Sequence, residues 1–326
     1  MQHHDSHSDD NAGGRQSQNF ITSEGSTVGY AEYGHQTGYL VIYFHGLPGS
    51  RFEAELYAAE AQKLGLRIIA PDRPGIGLSS PVAGLTLLDY PTHISQLVHH
   101  VGAGDTEEFG ILATSGGGPY ALACAARLPL LPGLRSVGVV AGLGPRDLTN
   151  TGMSLVQRLS FAAMDWVPAG VVRWLWDTAI ANAARNPDEA VLKKKIQGPL
   201  AAMKRDAGVS DDDPADEIMV ASMRAAFAQG SMGYVQDATI ISNPWGFRLS
   251  DITGVRVEFW YGSNDNIAPV ATGRAMAAQL PDSALHCFEG EGHAAATLLH
   301  RGDVLARIIQ VAQSHSAGTK SSAPAQ

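Results

Sequence analysis

Six short aliphatic runs constrain this chain more than anything else in it: YLVIYFHG (residues 39–46), LRIIAPD (66–72), FGILAT (109–114), LRSVGVVAG (134–142), VRVEFWYG (255–262) and ALHCFEG (284–290). Each is too continuously apolar for a strand with one wet face, so each reads as a strand buried on both sides. Between the first four lie helical patterns: FEAELYAAEAQKLG (52–65), TLLDYPTHISQLVHHVG (86–102) and GGPYALACAARL (117–128). Strand and helix in alternation predict an α/β fold, a mostly parallel central sheet with helices on both faces.

The alternation stops between residues 145 and 243. SLVQRLSFAAMDWV, GVVRWLWDTAIANAAR, PDEAVLKKKI and ADEIMVASMRAAFAQG all carry helical spacing, and no strand interrupts them. This stretch reads as a helical cap inserted into one α/β core, which then comprises residues 19–144 and 244–314. A final helix is expected from about residue 296 to 313. The polar ends, 1–18 and 315–326, read as disordered tails in which His3, His4 and His7 form no ordered metal site.

Composition narrows the partners. A formal charge of −9 speaks against nucleic acid, whose phosphates call for a basic surface. The one dense basic cluster, Lys193 to Lys195, reads as a solvated helix face. Without an apolar leader or an 18-residue apolar run, the expectation is a cytoplasmic protein with no membrane insertion. Cys124 and Cys287 sit in apolar surroundings and read as buried small hydrophobes.

Ser115 stands between the strand FGILAT and the helix that follows, in ILATSGGGPYALACAA (111–126). A residue turned sharply out of a sheet needs small neighbours, and Ala113 and Gly117 are small. The amides of the following helix face any negative charge that develops beside the serine. This is a nucleophile elbow, G-x-S-x-G, written here A-T-S-G-G. A phosphate loop would need a lysine where Pro119 and Tyr120 stand. A dinucleotide loop could use Gly116, Gly118 and Ala121, but no acidic residue ends the next strand.

A serine nucleophile needs a base, and the base a carboxylate. His293 lies on a glycine-flanked loop after the last strand, and Asp265 on the exit loop of the strand before it. The order Ser115, Asp265, His293 suits an elbow architecture. The other histidines of the folded region have plainer explanations: His35 lies in a polar turn, His99 and His100 end a helix, His286 lies within a strand and His300 beside a helix. Asp265 could instead cap the helix after Pro269, and Asp147, after the elbow's neighbouring strand, is a rival acid. For an oxyanion, the loop IYFHGLPGSR (42–51) offers the amide of Leu47, to be paired with that of Gly116. His45 reads as a brace for this loop, and Arg73, in PDRPGIGLS (71–79), as support for a turn.

Together HGLPGSR, PDRPGIGLSS, LATSGGGPYALA, YGSNDNIAP and GEGH resemble the successive signatures of the α/β-hydrolase fold family. The likeness is to its esterase-type branch with a helical cap, and QGSMGYVQDATIISNPWGF (229–247) resembles that branch's cap exit. The resemblance spans residues 19–313, with the middle hundred the loosest. It implies Ser115 as nucleophile, His293 as general base and then acid, Asp265 as the orienting acid, and Leu47 and Gly116 as oxyanion donors. It further implies cleavage of a carboxylic ester or related acyl bond in a small, partly apolar molecule. No cofactor or metal is called for, since an acyl-enzyme route needs none and no H-E-x-x-H set is present. An acyltransferase or cyclase using the same triad, or a non-catalytic small-ligand receptor, is the alternative, because fold does not fix reaction. A homodimer stays open. Met153, Phe161, Met164, Trp166, Trp174, Trp176, Met223 and Phe227 are the cap's large apolar residues, most of them expected to pack and a few to line the pocket mouth. Asp216 and Glu217 read as solvated helix charges.

Overall fold

The computed structural model describes residues 16–104, 107–149, 151–210 and 213–321. Eight strands form one sheet: β1 (Gln18–Ile21), β2 (Thr27–Gly34), β3 (Tyr39–Phe44), β4 (Leu66–Pro71), β5 (Phe109–Thr114), β6 (Leu134–Val140), β7 (Arg256–Gly262) and β8 (Ser283–Phe288). Their spatial order is β1-β2-β4-β3-β5-β6-β7-β8. From β3 to β8 the strands are parallel, while β1 and β2 join antiparallel at one edge. The six aliphatic runs are the six parallel strands. Strands β3 to β7 are buried on both faces, which accounts for their lack of alternation, whereas β8 is an edge strand only half-buried along its length, contrary to the expected burial on both sides.

The first two strands are less visible in sequence. TVGYAEYG carries two glycines and Glu32, whose carboxylate is matched by Arg67 of β4 at 2.7 Å. The chain is already fixed at Gln16 and Ser17, whose oxygens accept from Arg51, so order starts ahead of the expected boundary at residue 19. Residues 1–15, including His3, His4 and His7, lie outside the described residues.

Three helices follow the early strands: α1 (Ala58–Leu64), which continues a 3-10 turn at Arg51–Tyr57, α2 (Tyr90–His100) and α3 (Gly118–Ala126). Six more lie between β6 and β7: α4 (Leu155–Trp166), α5 (Ala169–Trp176), α6 (Asn182–Ala184), α7 (Glu189–Ala207), α8 (Ala215–Ala226) and α9 (Met232–Ser242). The chain ends in α10 (Val270–Ala277), α11 (His293–Leu298) and α12 (Arg301–Ser321). One sheet face packs Ile42, Ile111 and Val139 against Leu97 of α2, Leu122 of α3 and Met276 of α10. The other packs Val41, Ile68 and Leu112 against Ala61 of α1, Leu298 of α11 and Ile308 of α12. Leu192, Ile196, Val220 and Phe227 give the inserted helices a small core of their own, closed onto the α/β body by Ile76.

Three further expectations change. The single final helix is two, because His300 turns to Glu291 at 2.9 Å and stacks on Phe288 between them. The second continues to Ser321, past the expected start of the tail at residue 315, since extending a helix costs far less than starting one. Cys287 is exposed rather than buried, because β8 is the edge strand; Cys124 is buried as expected. Among the described residues no helix is long and apolar enough to cross a membrane.

Candidate active site

Strand order decides where a site can form. From β3 the chain moves to β4 on one side, then crosses back to β5 on the other. The loops leaving β3 and β5 therefore diverge, and a crevice opens at their carboxyl ends. Phe44 pairs with Ala113 at the last register position, so the loop from His45 and the residue Ser115 emerge side by side.

Ser115 has φ of 51°, in the left-handed region that a residue with a side chain rarely occupies. That turn separates β5 from α3 and lifts the hydroxyl out of the sheet. The turn is tight: a Cβ on Gly117 would overlap the carbonyl oxygen of Phe44, so glycine is required there. Leu143 N–H donates to the Ser115 carbonyl at 3.1 Å and fixes the elbow from the side of β6.

His293 reaches the serine from the first position of α11, just past the loop that leaves β8 and not on the loop itself as expected. Its Nε2 lies 3.1 Å from Ser115 Oγ, and its Nδ1 lies 2.7 Å from Asp265 Oδ2. A carboxylate only accepts, so Nδ1 carries the hydrogen and Nε2 is left to accept from the serine hydroxyl. The other oxygen of Asp265 accepts from Ile267 N–H at 2.8 Å and Ala268 N–H at 2.9 Å, and its side chain is wholly buried. The carboxylate thus braces its own loop and meets the imidazole; it does not cap the helix after Pro269, whose N-cap is Pro269 itself with no side-chain bond. Asp147 is exposed and lines an open surface groove with Trp245 and Phe247.

The loop after β3 lies against Gly116. A Cβ placed there would stand 2.6 Å from Leu47 Cβ and 3.2 Å from Leu47 N. Gly46 is gripped at both of its polar groups. Its N–H donates to both oxygens of Glu53, at 2.9 and 3.1 Å. Its carbonyl accepts from Arg73 Nη2 at 2.8 Å and His45 Nδ1 at 2.9 Å. In a trans peptide the N–H opposes the C=O, so this grip turns the Leu47 amide away from Arg73.

Four buried groups build the grip. Arg73 also donates to the His45 carbonyl and pairs with Asp237 of α9 at 2.6 Å, while Tyr120 donates to the other Asp237 oxygen at 2.6 Å. Burial pulls the Arg73 guanidinium down, and the Asp237 carboxylate more than restores it. Burial also pushes the Glu53 carboxyl up, against the Tyr43 hydroxyl and the Gly46 N–H, which favour its ionised form. His45 is held neutral well below 6.5 by burial and by the charge of Arg73. The sequence offered His45 as a brace and Arg73 as turn support; Glu53 and Asp237 were missed, since a lone Glu and Asp in helical patterns look solvated.

Beside this crevice is a cavity of about 170 Å³ lined by Leu143, Arg146, Met153, Arg158, Ala268 and Thr272, among others. Leu143 and Ala268 are the same residues whose amides hold Ser115 and Asp265. Of the cap residues singled out, Met153 lines this cavity, whereas Trp176, Met223 and Phe227 pack in the cap's core. Trp166 and Trp174 are exposed; the side chains of Phe161 and Met164 lie outside the described residues.

Residues 41–308 match the alpha/beta hydrolase family, most of the chain from β3 to α12. The chain belongs to that family. An uncharacterised hydrolase of Bacillus subtilis (strain 168) is 32% identical over 109 residues, a match spanning 33% of this chain and only 36% of that relative. An alpha/beta hydrolase fold protein from Nakamurella multipartita superposes with a TM-score of 0.60 at 23% identity, covering 91% of this chain and 99% of its own. The esterase RhEst1 from Rhodococcus sp. ECU1013 gives 0.60 at 15% identity, with 92% and 98% covered. A hydrolase from Pseudomonas aeruginosa PA01 gives 0.61 at 15%, with 89% and 97% covered. At these identities the solved structures bear on the fold alone, and the family member described here shares its sheet and helical layers with all three.

Proposed function

We propose that the protein is a serine hydrolase that cleaves a carboxylic ester or related acyl bond of a small, partly apolar molecule through an acyl-enzyme. The observation that carries this reading is the chain of contacts Ser115 Oγ, His293 Nε2, His293 Nδ1 and Asp265 Oδ2, at 3.1 and 2.7 Å, beginning at a serine with φ of 51°. Ser115 Oγ attacks the acyl carbon as its proton passes to Nε2, and Asp265 stabilises the imidazolium that results. The amides of Leu47 and Gly116 receive the oxyanion. Collapse expels the alcohol, which takes the proton from Nε2. Water, deprotonated by the same nitrogen, then releases the acid and restores the serine. The cavity next to Leu143 and Ala268, part apolar and part rimmed by Arg146 and Arg158, is of a size for one short substituent of the substrate.

Titration with a fluorophosphonate tests the reading. One adduct per chain is expected, mapped to Ser115 by peptide mass and lost in Ser115→Ala. Folded wild type without an adduct would sink the proposal. Turnover of short-chain aryl esters by wild type and not by Ser115→Ala separates hydrolysis from acyl transfer, which predicts labelling without ester turnover.

A further inference from the structure

The helix that begins at His293 has no cap of its own. Its N-cap residue is Gly292, which offers no side chain, so the first amides of α11 need an acceptor from elsewhere. That acceptor comes from the cap. Asp206 Oδ2 accepts from Ala294 N–H at 3.0 Å and Ala295 N–H at 3.3 Å, across 88 residues of chain. The glycine is the complement of this contact. A Cβ on Gly292 would overlap the Asp206 carboxyl, and the three atoms nearest to it all belong to that group. With φ of −99°, Gly292 sits where any residue could stand, so room for Asp206 is what requires glycine.

Asp206 is also misplaced on its own helix. It lies in the last turn of α7, one residue before the end, where the helix dipole disfavours a negative charge and Lys204 and Arg205 are the suited neighbours. Across the gap stands the N-terminus of α11, where the same dipole argument favours that charge. A residue that breaks a local rule and satisfies a remote one points to a role at the remote site.

We infer that Asp206 is a positioning residue, lent by the cap, which fixes the first turn of α11 and through it the His293 imidazole. This rests on the serine-hydrolase reading above, because the imidazole's placement matters only if it serves Ser115. Ala294 and Ala295 follow His293 directly, so loss of their acceptor frees the turn that carries the ring. The ring must hold both 2.7 Å to Asp265 and 3.1 Å to Ser115, and small misplacements of such groups are costly.

The test compares Asp206→Ala, Asp206→Asn and Asp206→Ala/Gly292→Ser with wild type, on one ester, with active sites counted by fluorophosphonate. In Asp206→Ala, kcat per labelled site should fall about 10- to 100-fold with KM little changed, and amide exchange over residues 293–298 should quicken. Asp206→Asn keeps an acceptor in place and should recover most of kcat. The double variant gives α11 a serine cap of its own in the space Asp206 vacated, and should recover part. A folded Asp206→Ala with wild-type kcat overturns the inference, as does a fall confined to Tm or KM, which marks a role in fastening the cap alone. Should Asp206→Ala not fold, Asp206→Ser replaces it, its hydroxyl stopping short of the two amides; wild-type kcat there overturns the inference equally. Wild type that takes up no label sinks the hydrolase reading itself. A labelled wild type beside an equally fast Asp206→Ala sinks only the positioning role.

Discussion

On one side of Ser115 stand His293 and Asp265, delivered by loops at the ends of the adjacent parallel strands β8 and β7 and joined directly to each other. On the other side lies the loop at Gly46 and Leu47, which is held from its flanks by Glu53, Arg73 and His45, with Asp237 of α9 behind Arg73. On the proposed serine-hydrolase reading the first arm is a chain of reacting groups, so each member is a residue type that chemistry demands. The second is a frame around a peptide unit, and a frame can be built from any buried donor or acceptor that reaches. One arm is thus specified by reaction and the other by satisfaction of polar groups out of water. Each consequently fails differently when a member is removed.

The largest effect is expected on the first arm. Asp265→Ala removes the acceptor that fixes the His293 tautomer, a loss that costs about 10⁴ in kcat where it has been measured in a serine protease. Folding and KM should change little by comparison, although the Ile267 and Ala268 amides lose their acceptor too. Asp147→Ala, at an exposed position lining a surface groove, should stay within a few-fold of wild type. Steady-state kinetics of both variants on one ester make the comparison. A near-normal Asp265→Ala beside a crippled, folded Asp147→Ala would reverse the assignment.

The same contrast explains what could be read from residues alone. That Ser115, His293 and Asp265 meet was legible because the proposed chemistry restricts each place to few residue types, and glycine flanks and strand exits mark those places. The parallel strands β3 to β7 were legible because burial on both faces leaves a continuous apolar run. Glu53, Asp237 and Asp206 were not, since each is an acidic residue in a helical pattern, where solvent is the ordinary partner. Only the fold reveals that Glu53 faces Gly46, that Asp237 meets Arg73 from 164 residues away, and that Asp206 meets Ala294 from 88. Strand β2 was obscured by Gly29, Gly34 and Glu32, the last of which is matched in charge by Arg67 across the sheet, and β1 is just four residues long.

A smaller effect is expected from loosening the frame. Arg73 is buried and bridges the carbonyls of His45 and Gly46 to Asp237, a task for a planar fork with several donors. Arg73→Lys keeps the positive charge beside Asp237, so the folded state is spared an unpaired buried carboxylate. It cannot keep all three contacts. With the Gly46 carbonyl less firmly held, the Leu47 amide is less well aimed, and losing an oxyanion donor outright costs about 10²–10³ in kcat. Arg73→Lys should therefore lower kcat by about 10- to 100-fold and leave KM nearly unchanged. Wild-type kcat in the lysine variant would show that Glu53 and His45 suffice to hold the loop.

The smallest effect separates the arms by pH. His45 is buried and neutral: its Nδ1–H donates to the Gly46 carbonyl at 2.9 Å, and Nε2 faces the Arg73 N–H at 3.4 Å. A second proton would set donor against donor next to a guanidinium. Burial first and Arg73 second hold its pKa well below the ordinary 6.5. Below that value the unfolded chain takes up a proton at His45 and the folded chain does not, so stability falls as pH falls, by at most about 1.4 kcal/mol per pH unit. Glu53 and Asp72, whose carboxyls are pushed up by burial, act in the opposite sense, because the folded chain holds protons that the unfolded chain has released. A single melting curve against pH would blend these contributions. His45→Gln keeps a donor for the Gly46 carbonyl and removes the titration, so the difference between the two proteins isolates it. Between pH 6.5 and 5 the wild type should lose a few degrees of Tm relative to the variant, and above pH 7 the gap should be constant. A gap independent of pH throughout would mean that His45 titrates alike in the folded and unfolded chains, and that the frame around Gly46 is open to water.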